Sequence, residues 1–330
     1  MKRLTFRAIL LLFGLLLCTG VLAQTGNVQL NNYIFNDGST IRGMADNGAW
    51  AVAYGPSATN GSMYHYPKLI NVKTKEVINL LNDAEMQSVQ SCYGNDVTDN
   101  GTTIVGEYNG KPAFWTKGNG WKTLPLPTGW TQGQADALTP DGKYAVGRAN
   151  DYGESFREYP VMWDLTTGTI VSTPNFPTTG VEGSDDGMVR YSSISSDGRY
   201  IVGCVSFSYV SNVMYFVYDR NDNTWIPLGF NYDALTKRYT PLKDGIAHME
   251  DADISADGKW IGGTAYMVKA IPGSQFGNEY RTPFRYNLET KTFELYDDAG
   301  SHDMSCVVID NHGTLYAATP PNTPVRTLYV

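Results

Sequence analysis

The sequence predicts an all-β chain of repeated antiparallel sheets, and three observations carry that expectation. A short string ending in Asp-Gly, Asn-Gly or a near variant, followed by an apolar run, recurs six times. Its turn glycines Gly48, Gly101, Gly142, Gly198, Gly258 and Gly313 are spaced 53, 41, 56, 60 and 55 residues apart. The composition agrees: 34 Gly and 16 Pro stand beside 22 Tyr, 12 Phe and seven Trp without a Gly-X-Y period, which suits short strands and tight turns. Beyond the N-terminal segment, no stretch of ordinary helix length holds an apolar period of 3.6.

The first element is a targeting segment. Lys2, Arg3 and Arg7 precede the apolar run Ala8 to Leu17, and Val21-Leu22-Ala23 supplies small residues for cleavage. Residues 1–23 therefore read as a secretory signal peptide, and the chain as exported: secreted, cell-surface or periplasmic. A retained anchor is the rival, but the run falls short of the ~20 residues of a bilayer span. A lipoprotein acylated at Cys18 is a second rival, against which the bulky Leu17 counts. Without residues 1–23 the net charge moves from −8 to −11. That acidity disfavours nucleic acid and anionic membrane as partners. Cys92, Cys204 and Cys306 then form an odd set, each in a strand-like run, and read as small core residues.

The units follow in order. The clearest copies are Leu138 to Gly147, Ile194 to Gly203 and Ile254 to Gly263; weaker ones surround Gly48, Gly101 and Gly313. Most continue into a strand such as Pro112-Ala113-Phe114-Trp115 or Pro160-Val161-Met162-Trp163, then a polar turn, then a last apolar run. Each unit thus reads as four short strands. The Asp-Gly pair is expected to form a two-residue hairpin, both residues taking positive φ, and the Pro stands at a strand entrance where its missing N–H costs no ladder bond. Such a sheet exposes both faces and must stack on its copies, which is the pattern of propeller blades. The blades are expected at about 39–81, 93–126, 134–174, 188–229, 249–297 and 302–330 in a single domain, 24–330. The sixth lacks a fourth strand, and Val28–Phe35 is expected to complete it and close a six-bladed ring. The rival is a fragment lacking further blades or a sorting domain.

The strings Thr139-Pro140-Asp141-Gly142-Lys143-Tyr144 and Ser255-Ala256-Asp257-Gly258-Lys259-Trp260 resemble the repeats of TolB-type propellers. Their extension through Val-Gly to a Phe-Trp or Met-Trp strand is similar to the HAF-type repeats of exported bacterial proteins. The resemblance covers nearly all of 24–330 and implies a fold, not an activity. Sialidase Asp-boxes are excluded because Asp and Gly are adjacent here.

Long connections between strands are where a rigid scaffold usually binds. They hold Tyr64, Tyr66, Tyr152, Phe156, Tyr159, Tyr232, Tyr266 and Tyr280, whose rings suit stacking on sugars or gripping a peptide; they equally suit covering blade ends. Trp115, Trp163, Tyr144, Tyr200 and Trp260 read as packing between blades. The acidic groups Asp151, Glu154 and Glu158, then Glu182, Asp185 and Asp186, then Glu250, Asp251 and Asp253 read as solvated faces. Asp141, Asp197 and Asp257 read as turn residues. The four His have no zinc spacing, and no Cys-X-X-Cys, Gly-X-Ser-X-Gly or phosphate-loop motif occurs. The sequence therefore predicts no metal, no cofactor and no catalytic residues. Its expected role is a binding or scaffold propeller for a glycan or an extracellular or cell-envelope protein. The alternative is a glycoside hydrolase-like enzyme using loop carboxylates.

Overall fold

The computed structural model describes residues 40–56, 65–151, 157–173, 188–206, 213–233, 238–241, 246–269, 278–296, 305–318 and 328–329. The signal segment and Val28–Phe35 lie outside these residues. The first unit holds β1 (Thr40–Met44), β2 (Trp50–Pro56), β3 (His65–Asn71) and β4 (Val77–Asn79). A short helix α1 (Asp83–Ser88) follows, started by a reciprocal cap between Asn82 and Glu85. The second unit holds β5 (Cys92–Val97), β6 (Thr103–Tyr108), β7 (Lys111–Thr116) and β8 (Gly120–Thr123). The third holds β9 (Gln132–Leu138), β10 (Tyr144–Asp151), β11 (Arg157–Asp164) and β12 (Thr169–Val171). The fourth holds β13 (Met188–Ile194), β14 (Tyr200–Ser206), β15 (Val213–Asp219) and β16 (Thr224–Pro227). A separate hairpin, β17 (Phe230–Asp233) and β18 (Arg238–Pro241), precedes the fifth unit. That unit holds β19 (Ile246–Ile254), β20 (Trp260–Lys269), β21 (Asn278–Asn287) and β22 (Thr292–Leu295). The sixth shows β23 (Ser305–Ile309), β24 (Leu315–Ala318) and β25 (Leu328–Tyr329).

Within each unit the strands pair antiparallel in chain order, as propeller blades do. A single parallel bridge, Glu158 to Met188, joins the third and fourth units into one continuous sheet. The apolar core is a series of layers between units. Val52 and Leu69 meet Ile104 and Trp115; Val105 meets Ala145 and Trp163; Val146 and Met162 meet Ile194 and Ile201; Phe216 and Val217 meet Ile261 and Phe284. Each sheet is therefore stable only against its neighbours. Trp163 is fully buried, and its indole N–H donates to the Pro125 carbonyl at 2.8 Å.

The turns differ from expectation in one respect. In all six, the glycine N–H donates to the carbonyl three residues earlier at 2.8–3.0 Å. Each turn glycine has φ between +67° and +75°, while Asp141, Asp197 and Asp257 do not have positive φ. The turn is thus longer than a two-residue hairpin, and only its glycine needs the left-handed region. The Asp stays in ordinary backbone because its carboxylate has a task. Asp141 accepts from the Lys143 N–H and the Thr139 hydroxyl; Asp197 and Asp257 repeat this with Ser195 and Ser255. The same hydroxyls, buried to 1% exposure or less, accept the N–H of Tyr144, Tyr200 and Trp260.

The glycines also lock one unit to the next. A Cβ on Gly101 would lie 2.4 Å from the Trp50 ring of the preceding unit; Gly198 abuts Tyr144, Gly258 abuts Tyr200 and Gly313 abuts Trp260. Among the described residues Gly48 meets nothing within 4 Å. Among the described residues the seam from the sixth unit to the first therefore lacks this contact, and Ile41 and Met44 beside it are 46% and 49% exposed.

Candidate functional site

The inner strand of every unit carries a register shift, and at this shift polar side chains turn away from the sheet. The shift falls at Arg42, Asn95, Asp136 and Ser192, each six residues before its turn glycine, with equivalents between Glu250 and Ala252 and between Cys306 and Val308. Such bulges re-aim side chains. Here they point polar groups inward, and residues of all six units line one cavity of about 620 Å³.

The lining is ordered along the axis. Two residues before its turn glycine stands Asp46, which accepts a hydrogen bond from the Ser196 hydroxyl of the fourth unit at 2.9 Å. A layer of Leu138, Ile194, Ile254 and Ile309 follows, then a polar layer of Asp96, Ser193 and Asp253, five residues before the turn. Asp96 accepts the N–H of Val97 at 2.8 Å and that of Leu138, in the next unit, at 2.9 Å. Asp253 accepts the Ser193 hydroxyl and the Ile254 N–H. Both carboxylates thus staple a unit to its neighbour or to itself. Farther from the turns stand Asp136, then Arg148 and Arg190, level with each other by strand register. Arg148 holds Asp136 at 2.7 Å and Glu158 at 3.0 Å. Arg190 is half-buried beside Cys204, whose thiol is its hydrogen-bond partner.

These surroundings tune the acids. Burial pushes the Asp96 carboxyl up to about 8, against the pull of its two N–H donors, with Asp46 and Asp253 adding repulsion. Burial also raises Asp136 to about 6, although Arg148 and Arg190 favour its charged form. Asp253 is raised by burial against the Ser193 and Ile254 bonds. Asp46 is exposed on its turn yet hemmed in across the cavity mouth; that burial raises it, opposed by Ser196 and helped by Asp99. Among the described residues no group of three His, Cys, Asp or Glu is placed to hold a metal ion.

The aromatic candidates sit elsewhere. Tyr64, Tyr152 and Phe156 lie outside the described residues. The other five are on strands rather than in loops, because β2, β3, β10, β11, β20 and β21 continue pairing beyond the expected strand ends and β17 pairs with β18. Tyr66, on β3, packs near Leu81 and Met86 and donates to the Met86 carbonyl at 3.4 Å. Tyr159, on β11, is 38% exposed and tilts 6.0 Å from Trp130. Tyr266, on β20, lies under the Arg281 guanidinium at 5.5 Å. Tyr280, on β21, packs on the core between the fourth and fifth units. Tyr232 pairs with Tyr239 in the β17–β18 hairpin. Tyr66, Tyr159, Tyr266 and Tyr280 come from the first, third and fifth units and do not line the cavity, but they share the edge opposite the Asp-Gly turns. Among the acids read as solvated, Asp253 lines the cavity and Glu158 is buried on Arg148. Glu154, Glu182, Asp185 and Asp186 lie outside the described residues.

The cavity residues were the missed signal. Asp96, Asp136, Ser193 and Asp253 stand just before an apolar residue at the end of each inner strand, a polar position inside a strand otherwise bound for the core.

No protein-family model and no curated protein matches the chain. Among solved structures it is similar to TolB from Acinetobacter baumannii, at 15% identity and TM-score 0.47, covering 87% of this chain and 65% of that one. It is also similar to hydrazine synthase from Kuenenia stuttgartiensis, at 15% identity and TM-score 0.49, covering 84% and 72%. A third is oligogalacturonate lyase from Vibrio parahaemolyticus, at 10% identity and TM-score 0.45, covering 90% and 91%. The chain spans less than two thirds of the TolB chain's length. Likeness at this level concerns the fold and says nothing about what this chain binds.

Proposed function

We propose that this chain is an exported binding module, without catalysis of its own, that admits a glycan or an extracellular protein segment into the central cavity. The observation that carries the reading is the convergence of inner-strand polar residues from five units, with turn residues of the sixth, on one cavity of about 620 Å³, a volume typical of ligand sites. The ligand enters from the face opposite the Asp-Gly turns, where Tyr66, Tyr159, Tyr266 and Tyr280 stand at the strand ends. A six-bladed ring closed by Val28–Phe35, kinship with HAF-type repeats and a cleaved signal segment belong to the same reading. The non-catalytic part rests on the lining. Among the described residues it contains no His, Cys or Lys, and both Asp96 oxygens and Asp253 Oδ1 are engaged by N–H and hydroxyl donors.

One observation favours a second reading, a carbohydrate-active enzyme. Asp96, held near neutral pH in its protonated form, shares the cavity with Asp253, and a pair of carboxyl groups in one site is what glycoside hydrolysis requires. Against it, Tyr215 is the one aromatic side chain among the described residues of the lining. A glycan array and a panel of envelope-protein segments, probed with the purified chain, test the proposal, each hit being assayed for turnover. Saturable binding without turnover supports it, turnover establishes the second reading, and absence of binding to either panel refutes both.

A further inference from the structure

Arg190 differs from five other described arginines. Arg148, Arg199 and Arg285 hold carboxylates, and Arg220 and Arg42 donate to oxygen acceptors. Arg190 faces the cavity, makes no ion pair within 4 Å among the described residues, and has the weak Cys204 thiol acceptor as its hydrogen-bond partner. A guanidinium has five donors in a planar fork matched to oxyanions, so most of this capacity is unused. Local charge adds to the argument. Arg42, Arg148 and Arg190 face two carboxylates, Asp136 and Glu158, at this end of the cavity, an excess of one positive charge inside a chain of net charge −8. The opposite end carries Asp46, Asp96 and Asp253. The strand rise puts the Asp96 layer roughly 10 Å from Arg190, so the two ends are electrostatically distinct.

We infer that Arg190 anchors an oxyanion group of the ligand, and that the ligand is an acidic glycan. This rests on the proposed binding role. A peptide strand would bind by pairing with the inner strands, but the inward N–H groups of Val97, Leu138 and Ile254 are occupied by Asp96, Ser193 and Asp253. Strand addition needs such an edge free. The remaining recognition groups are side-chain hydroxyls, amides and guanidinium forks, suited to a hydroxylated ligand bearing negative charge, with the Tyr215 ring at the level of Arg190.

Calorimetric titration of the full chain with carboxylated, sulfated and neutral oligosaccharides of equal length tests this. Acidic sugars are expected to bind roughly 10-fold to 100-fold tighter than neutral ones, the range of a charge-assisted contact, with the advantage shrinking as salt rises. The carboxylated and sulfated arms show which oxyanion is preferred. Arg190→Gln is expected to abolish the preference while leaving weak binding of neutral sugars; Arg190→Lys, retaining charge without the fork, keeps part of it. Circular dichroism confirms that each variant is folded, and should Arg190→Gln not fold, Arg190→Lys and the salt series decide. Equal affinity for neutral and acidic sugars, or a preference untouched in both variants, overturns the inference and leaves the binding role standing. Binding of an acidic peptide in place of any sugar also overturns it. Binding of nothing defeats the proposed function itself.

Discussion

Replacing turn glycines by alanine separates the two reasons a glycine is needed. Gly48 and Gly101 have nearly the same backbone, φ +69° and +67°, so alanine pays the same left-handed cost at each, about 1 kcal/mol. Their surroundings differ. At Gly48 the new methyl enters open space among the described residues, whereas at Gly101 it lies 2.4 Å and 2.5 Å from two Trp50 ring atoms. That overlap lies well inside van der Waals contact, and Trp50 packs against the layer between the first two units. Displacing a packed ring costs about 1–3 kcal/mol. Gly48→Ala should therefore lose about 1 kcal/mol and Gly101→Ala about 2–4 kcal/mol. Gly313→Ala, 2.7 Å from Trp260, should side with Gly101. Urea unfolding followed by tryptophan fluorescence reads this as midpoints ordered Gly101→Ala below Gly48→Ala, with a shared slope. Equal losses at Gly48 and Gly101 would refute the claim that the first unit's turn is free of the lock that joins the others.

Asp96 should make stability fall with rising pH. Its carboxyl is raised in the folded state, so its contribution is complete below about pH 4 and is lost as pH climbs through about 8, by up to 1.4 kcal/mol per unit for one proton. Asp96→Asn should flatten that slope in urea midpoints between pH 5 and 8; an unchanged slope would mean that another group sets it. Ser255→Ala removes a buried hydroxyl that donates to Asp257 and accepts from Trp260 N–H. It should cost about 1–3 kcal/mol by thermal melt, and Ser255→Thr should recover most of the loss. Cys92 and Cys204 are buried thiols whose ionisation burial suppresses. Mass-mapped alkylation should find both silent in the native protein and reactive in urea, and fast native labelling of either would contradict its placement.

The repeat and its strand order were legible because the physics behind them is local. A glycine at positive φ, an Asp or Asn that caps its own turn, and an apolar run on either side are all read from neighbouring residues. The interblade role of Trp115, Trp163, Tyr144, Tyr200 and Trp260 was legible too, since a large ring in a short strand needs a second sheet to cover it. The turn type was misread because Asp-Gly fits two turns. What selects the longer one is the Thr or Ser two residues before the Asp, whose hydroxyl bridges carboxylate and backbone. The cavity was not legible as a site. Asp96 and Asp253 stand 157 residues apart in the sequence, and only ring closure brings them within reach of each other. The placing of Tyr66, Tyr159, Tyr266 and Tyr280 on strands was not legible, because it depends on pairing partners across the sheet rather than on neighbouring residues.

The cavity acids have two roles that pull in opposite directions. Their bonds to Leu138, Ile254 and Ser193 hold inner strands together where backbone groups would otherwise face the channel unpaired, and a buried unpaired N–H costs about 1–3 kcal/mol. Yet burial raises the cost of ionising each of Asp46, Asp96 and Asp253, and the Asp46 charge adds repulsion at Asp96 and Asp253. The bulges make the compromise workable, because the extra residue turns the carboxylate toward the channel, where one face meets strand N–H groups and the other meets the cavity. The proton that Asp96 keeps near neutral pH relieves the repulsion without breaking the staples. Arg190, by contrast, takes no part in stapling. Removing it should leave stability nearly unchanged while removing a charge from the cavity, whereas removing Asp253 should weaken the joint between the fourth and fifth units whatever is bound.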